Sequence, residues 1–162
     1  MTDLPIASVN ETRWLDETQQ QAWRAFLGGS TVLMDRLDRD LRAEHGLSMS
    51  EYEILVRLSE APDRSIRMAD LAAALSHSRS RITHTIGRLE RDGIVLRMQC
   101  DTDGRGVTAV LTDKGFSLLA TAAHTHVRGV RDYLIDQCSD EDLAAVRRVM
   151  EAVQEAIGGR RF

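Results

Sequence analysis

Between positions 78 and 91 the chain reads Ser-Arg-Ser-Arg-Ile-Thr-His-Thr-Ile-Gly-Arg-Leu-Glu-Arg, a run of hydroxyls and guanidinium groups with one imidazole and a single acid, Glu90. Such side chains donate hydrogen bonds to phosphate oxygens and to the exposed edges of bases, so the chemistry on offer is recognition of a polyanion rather than bond making. At helical spacing Ile82, Ile86 and Leu89 share one side, and Ser80, His84, Gly87 and Arg91 share the other, with Arg81 and Arg88 on its flanks. Ser78, Arg79, Ser80, Arg81, Thr83, His84 and Arg88 are therefore the candidate contacts, and Gly87 permits a close approach. Taken alone, an arginine-rich helix describes a solvated face equally well; its neighbours decide.

Those neighbours are a second helix and a hairpin. Met68, Leu71 and Leu75 repeat at helical spacing in an alanine-rich run, which predicts a short helix over 68–75. Ser76-His77-Ser78 interrupts it, and Ser78 or Ser76 is the expected cap of a second helix running to about Asp92, which Gly93 ends. Residues 94–100 and 106–111 are β-compatible runs joined by Asp101-Thr102-Asp103-Gly104-Arg105, whose Asp-Gly pair marks a tight turn. Arg105 then sits near the tip of a two-stranded wing, with Asp101 or Asp103 available to hold it, and can reach a minor groove or a phosphate. Short helix, turn, reading helix and wing together make a winged helix-turn-helix.

The same residues resemble the MarR-type winged helix-turn-helix transcriptional regulators. The resemblance is carried by Leu71-Ala72, by Ser78-Arg79-Ser80-Arg81-Ile82-Thr83 and by Arg88-Leu89-Glu90-Arg91-Asp92-Gly93-Ile94-Val95. It continues through Asp103-Gly104-Arg105-Gly106 and Leu111-Thr112-Asp113-Lys114-Gly115, and upstream through Tyr52-Glu53-Ile54-Leu55 and Leu58-Ser59-Glu60-Ala61-Pro62. It is strong over residues 47–115 and rests on helical pattern alone in the flanks. It implies a homodimer bound to a palindromic operator in double-stranded DNA, most often as a repressor, and release by a small aromatic or anionic ligand held between a dimer layer and the DNA-binding lobe.

Composition agrees. The net charge of −4 looks wrong for a DNA binder until it is divided: residues 64–105 hold eight arginines against five acids, or +3, leaving −7 for the rest. No window approaches a membrane span, and Met1–Asn10 lacks the basic and apolar regions of a secretion signal, so a cytoplasmic location is expected.

The flanks must position the reader. Residues 1–10 are expected to be a loose tail; from Glu11 or Thr12, with Thr12 a possible cap, one long bent helix is expected to about Glu44, interrupted or bent at Gly28-Gly29-Ser30, and His45-Gly46 closes it. Ser48 or Ser50 caps the next helix, which Pro62 limits, and residues 64–67 form an extended link suited to pairing with the wing. Thr112 caps a helix whose apolar positions are Phe116, Leu119, Ala122 or Ala123, Val127, Val130 and Leu134, and Ser139 caps a last helix with Leu143, Val146, Met150, Val153 and Ile157 on one stripe. The expected architecture is mainly α with a small hairpin: tail (1–10), N-terminal dimerisation helix (11–46), winged helix-turn-helix (47–112) and C-terminal dimerisation helices (113–162).

For an effector, Trp14, Trp23 and Phe26 fall close together with Arg13 and Arg24 beside the tryptophans, so Arg13, Trp14 and Trp23 are the candidate clamp for a carboxylate or phenolate. Dimer-core filling is the competing reading of the two tryptophans. His124 and His126 point to different faces and Cys100 and Cys138 lie far apart, so no metal site, cofactor or disulfide is expected. A metal- or thiol-responsive regulator of the same fold, and a winged-helix protein-interaction module that binds no DNA, are the alternatives. No phosphate loop, nucleophile elbow or His–carboxylate pair is present, and no catalytic residue is expected: the chain does not read as an enzyme.

Overall fold

The computed structural model describes residues 12–75, 78–99 and 106–158. The expected N-terminal tail, His77, Cys100 and the wing tip with Asp101, Asp103 and Arg105 lie outside the described residues. The chain divides into two compact units, residues 1–32 and 33–162, and helix α1 (Glu17–His45) runs through the division.

In the first unit α1 begins at Glu17, later than the Glu11 or Thr12 expected, because Asp16 and not Thr12 caps it. Asp16 Oδ1 accepts from the Gln19 amide at 2.8 Å, and Gln19 Oε1 accepts from the Asp16 amide at 3.0 Å. Gly28 and Gly29 do not interrupt α1: glycine lowers helix propensity without removing the backbone donor, and the flanking turns carry the helix through.

In the second unit Leu37 and Leu41 of α1 are buried, and Gly46 closes the helix at φ +67°, a conformation open to glycine. Helix α2 (Met49–Glu60) starts on a capping box, Ser48 with Glu51. After a 3₁₀ turn at Pro62–Arg64 come β1 (Ser65–Arg67), α3 (Met68–Ala74), α4 (Arg79–Arg91), β2 (Val95–Gln99) and β3 (Val107–Leu111). The strands form one antiparallel sheet in the order β1-β3-β2, so the link at 65–67 does pair with the wing. The register sets Ile66 and Arg97 on either side of Ala109, and Val95 against Leu111. Ile54, Leu55, Leu58, Leu71, Ile82, Ile86, Leu89 and Val95 are fully buried together in the core.

Within the chain, helix α5 (Asp113–Tyr133) packs mainly by its small residues. Gly115, Leu119, Ala122, Thr125 and Gly129 are buried, while Phe116 and Val127 are exposed. The small residues let α5 lie close on its neighbours: a Cβ at Gly115 would sit 2.2 Å from the carbonyl oxygen of Ile94, and one at Gly129 would sit 2.8 Å from Leu37. Phe116 instead stacks beneath the Arg64 guanidinium at 4.0 Å. A 3₁₀ turn at Ile135–Gln137 leads to α6 (Asp140–Ala156), capped by Ser139 with Asp142, which buries none of its residues.

The glycine environments give a pair of substitutions with opposite signs. Gly115→Ala should cost about 2–3 kcal/mol and lower the melting temperature by roughly 5–10 °C, because backbone has to move. Gly28→Ala, with open space around its Cβ in the interior of α1, should stabilise by about 0.5–1 kcal/mol. Thermal melts followed by far-ultraviolet circular dichroism check both.

Candidate nucleic-acid interface

The reading helix α4 is fixed at both ends by its own sequence. Ser78 Oγ accepts from the Arg81 amide at 3.3 Å and so caps the first turn. At the other end Gly93, at φ +70°, lets the Ile94 amide bond back to Leu89 O at 2.9 Å and its own amide to Glu90 O at 3.0 Å. Lys114 Nζ donates to Asp92 O at 2.6 Å, and Thr112 Oγ1 donates to Gly93 O at 2.9 Å, so the start of α5 braces the end of α4.

Ile82, Ile86 and Leu89 hold α4 on the core, which turns Arg79, Ser80, Arg81, Thr83, His84 and Arg91 to the outside. No acid sits in the first turn, and the outward face is cationic and rich in donors. Of the candidate contacts, Ser80 Oγ lies 3.2 Å from Ser78 Oγ, Thr83 Oγ1 donates to Arg79 O at 2.8 Å, and Arg81 Nη2 donates to Ser50 Oγ at 3.1 Å. These are exposed hydrogen bonds that a phosphate can replace.

Arg88 departs from the expectation. Its Nη2 donates to Gly46 O at 3.0 Å and to Glu51 Oε2 at 2.8 Å, and its Nε lies 2.6 Å from Glu51 Oε1 without the angle of a hydrogen bond. Glu51 is almost fully buried and pairs with this guanidinium, so Arg88 braces α4 on α2 while its side chain stays 41% exposed. Helical spacing set Arg88 on the flank of α4; only the packing of α2 brings Glu51 under it.

Two features were not singled out from sequence. Arg97 on β2 is bound by Glu90 of α4, at 2.8 Å from Nε and 2.5 Å from Nη2. With Arg67, Arg79 and Thr83 it lines a groove of about 440 Å³ between α4 and the wing. The second is a groove of about 350 Å³ along α2, lined by Tyr52, Glu53, Arg57, Glu60, Leu75 and His126. The His126 ring tilts over Tyr52 with centroids 4.6 Å apart, and its Nδ1 is buried with no partner among the described residues. Burial lowers the His126 pKa and raises that of the Tyr52 phenol. The one sequence signal for this site was the i to i+2 histidine pair, which spacing can put on different faces but cannot place in a groove.

The residues proposed for an effector clamp are in the first unit. Trp14 precedes α1 and is 84% exposed, Arg13 is exposed, and Trp23 stacks on Phe26 with centroids 5.9 Å apart. Cys138 is a half-buried free thiol, and among the described residues no cluster of His, Cys, Asp and Glu has the makings of a metal site. No described helix is long and apolar enough to cross a membrane.

A helix-turn-helix followed by an antiparallel hairpin, with a cationic second helix facing outward, defines the winged helix-turn-helix class of DNA-binding protein. The model of the MarR family matches residues 47–107. The transcriptional regulator PecS of Dickeya dadantii is 30% identical over 133 residues, spanning 81% of this chain and 79% of PecS. AbsC, a MarR family regulator from Streptomyces coelicolor, superimposes with a TM-score of 0.85 at 41% identity, over 92% of this chain and 100% of AbsC. Sco3205 of the same organism, crystallised in complex with DNA, gives 0.87 at 38% identity over 91% of this chain and 92% of that one. The chain belongs to the MarR family of transcriptional regulators, and is not an enzyme.

Arg88→Ala should destabilise the fold by about 2–3 kcal/mol, because it strands a buried carboxylate, and Glu51→Gln in that background should recover part of the loss. Arg79→Ala, on the open face, should change stability by less than about 0.5 kcal/mol; urea unfolding separates the two. His126 makes the pH dependence directional. Its pKa in the folded chain lies below the unfolded value near 6.5, so the folded state resists protonation and stability falls as the pH drops below about 6.5. His126→Phe, which keeps the ring contact with Tyr52, should flatten that part of the curve in urea titrations run between about pH 7 and 5.

Proposed function

We propose that this regulator binds a pseudo-palindromic operator as a homodimer, represses transcription by occupying it, and is released by a small aromatic or anionic ligand. The observation that carries the reading is the outward face of α4, where Arg79, Ser80, Arg81, Thr83 and His84 stand together over a buried core of Ile82, Ile86 and Leu89. Arg105, at the wing tip by sequence, is the expected second point of contact. The DNA complex of Sco3205 supports the partner.

Homodimerisation is supported by apolar surface that the chain leaves uncovered. Val146, Val149, Val153 and Ile157, on α6 and just beyond it, are 46–77% exposed, and Trp23, Phe26 and Leu27 of the first unit are 44–51% exposed. Aromatic and branched side chains at this density belong against another surface. A two-fold dimer would set two reading helices in successive major grooves, with half-sites about one helical turn apart.

For the effector we favour the groove at Tyr52 and His126, with Arg13, Trp14 and Trp23 as the competing location. An unpartnered buried imidazole nitrogen and the Tyr52 ring suit a planar aromatic compound, and about 350 Å³ accommodates a single substituted ring. Binding there would alter the packing of α2 on α5, and a coupling of about 1–3 kcal/mol is enough to release the operator.

Selection of bound fragments from sheared genomic DNA should return an inverted repeat. Arg79→Ala or Arg81→Ala should weaken its binding about tenfold and reduce the salt slope by about one unit for each phosphate no longer neutralised. A purified chain that stays monomeric and shifts no duplex in low salt would instead favour the protein-interaction module. Titration of the complex with aromatic acids separates the effector sites: His126→Gln abolishes release if the α2 groove is used, and Arg13→Ala abolishes it if the first unit is.

A further inference from the structure

We infer that Glu90 is a positioning residue for duplex recognition: it fastens Arg97 of the wing to the last turn of α4 and so fixes the third arginine of the groove between them. The inference rests on the DNA-binding reading above.

Glu90 is the only acid in α4, and it follows Arg79 and Thr83 along one helical stripe. A carboxylate there opposes any polyanion, so its presence on this face asks for a compensating task. The structure supplies one. Arg97 donates to Glu90 three times: Nε to Oε2 at 2.8 Å, Nη2 to Oε2 at 2.5 Å and the backbone amide to Oε1 at 3.3 Å. Strand β2 is at the sheet edge, so the outward amide of Arg97 has no neighbouring strand to bond, and Glu90 takes its place. The pairing also holds the Glu90 carboxyl below its usual pKa, with the Arg97 hydrogen bonds as the largest cause.

One carboxylate, its charge offset by Arg97, therefore satisfies an edge amide and sets the side chain that lines the groove with Arg67 and Arg79. The Nε and Nη2 edge of the guanidinium is occupied, which leaves Nη1, without a partner among the described residues, to meet a phosphate. An arginine already held loses less rotamer freedom on binding than one that searches. Because the pair is 38% and 31% exposed, it adds little to folding stability, and its effect belongs in DNA binding.

Anisotropy titrations with the selected inverted-repeat duplex and a scrambled duplex of equal length test this. Glu90→Ala raises the net charge by one, so an acid that merely repels DNA would, when removed, tighten binding to both duplexes. The positioning role predicts that binding to the inverted repeat weakens about 5–10-fold while the scrambled duplex binds as well or better. Glu90→Gln, which keeps an oxygen acceptor, should restore part of the specific affinity. In an Arg97→Ala background Glu90→Ala should cause no further weakening. Unchanged or tighter specific binding by Glu90→Ala, or a weakening that persists in full without Arg97, overturns the inference while leaving the DNA reading intact. A wild-type chain that binds neither duplex overturns both. Matching melting temperatures confirm that the variants fold, and Arg97→Lys, which keeps the charge but not the fork, should repeat the weakening.

Discussion

A carboxylate with only 3% of its residue surface exposed must be neutralised where it stands, and around Glu51 the DNA-binding lobe is assembled. Its Oε2 accepts from the amide and hydroxyl of Ser48 at 2.8 and 2.7 Å, which starts α2, and from Arg88, which belongs to α4. Arg88 also holds the carbonyl of Gly46, the residue that closes α1. One buried charge thus joins the start of α2 to the middle of the reading helix, and the same guanidinium ties in the end of α1; α2 and α4 cannot separate without leaving a charge unpaired.

With α4 held from within by Ile82, Ile86, Leu89 and Arg88, its other face is free to be chemically expensive. Clustered arginines repel one another and gain nothing from the core, so they are tolerable only on a helix whose stability comes from elsewhere. The Schellman end at Gly93 and the brace from Thr112 and Lys114 supply further support. The wing is then joined to the same helix by Glu90 and Arg97, so that helix and hairpin share a common frame.

The flanking helices follow a different logic. α5 is drawn close by Gly115, Ala122 and Gly129 and serves as the wall of the lobe, with a polar network in which Thr125 bonds Glu44 at 2.7 Å and His45 at 2.8 Å. α6 buries nothing and keeps an apolar stripe in solvent. In the proposed homodimer this stripe would be covered by the second copy.

The order and types of elements were legible in the sequence, because caps, glycine stops and periodicity act over a few residues: Ser48, Ser78, Thr112 and Ser139 cap as their neighbours dictate, and Gly93 stops α4. The outward set on α4 was legible for the same reason, since helical spacing alone separates Ser80 and His84 from Ile82 and Ile86. What the sequence left open depends on residues far apart. Spacing could not show that Arg88 meets Glu51, that Glu90 meets Arg97, or that His126 lies on Tyr52 with an unpaired nitrogen beside a groove. Nor could it show that Gly115 and Gly129 are the points where α5 touches its neighbours, because apolar periodicity scores a glycine as a gap when close packing makes it the point of touch. Local bonds are written in neighbouring letters; the partner of a charge, and the distance between two helices, exist only once the chain has closed on itself.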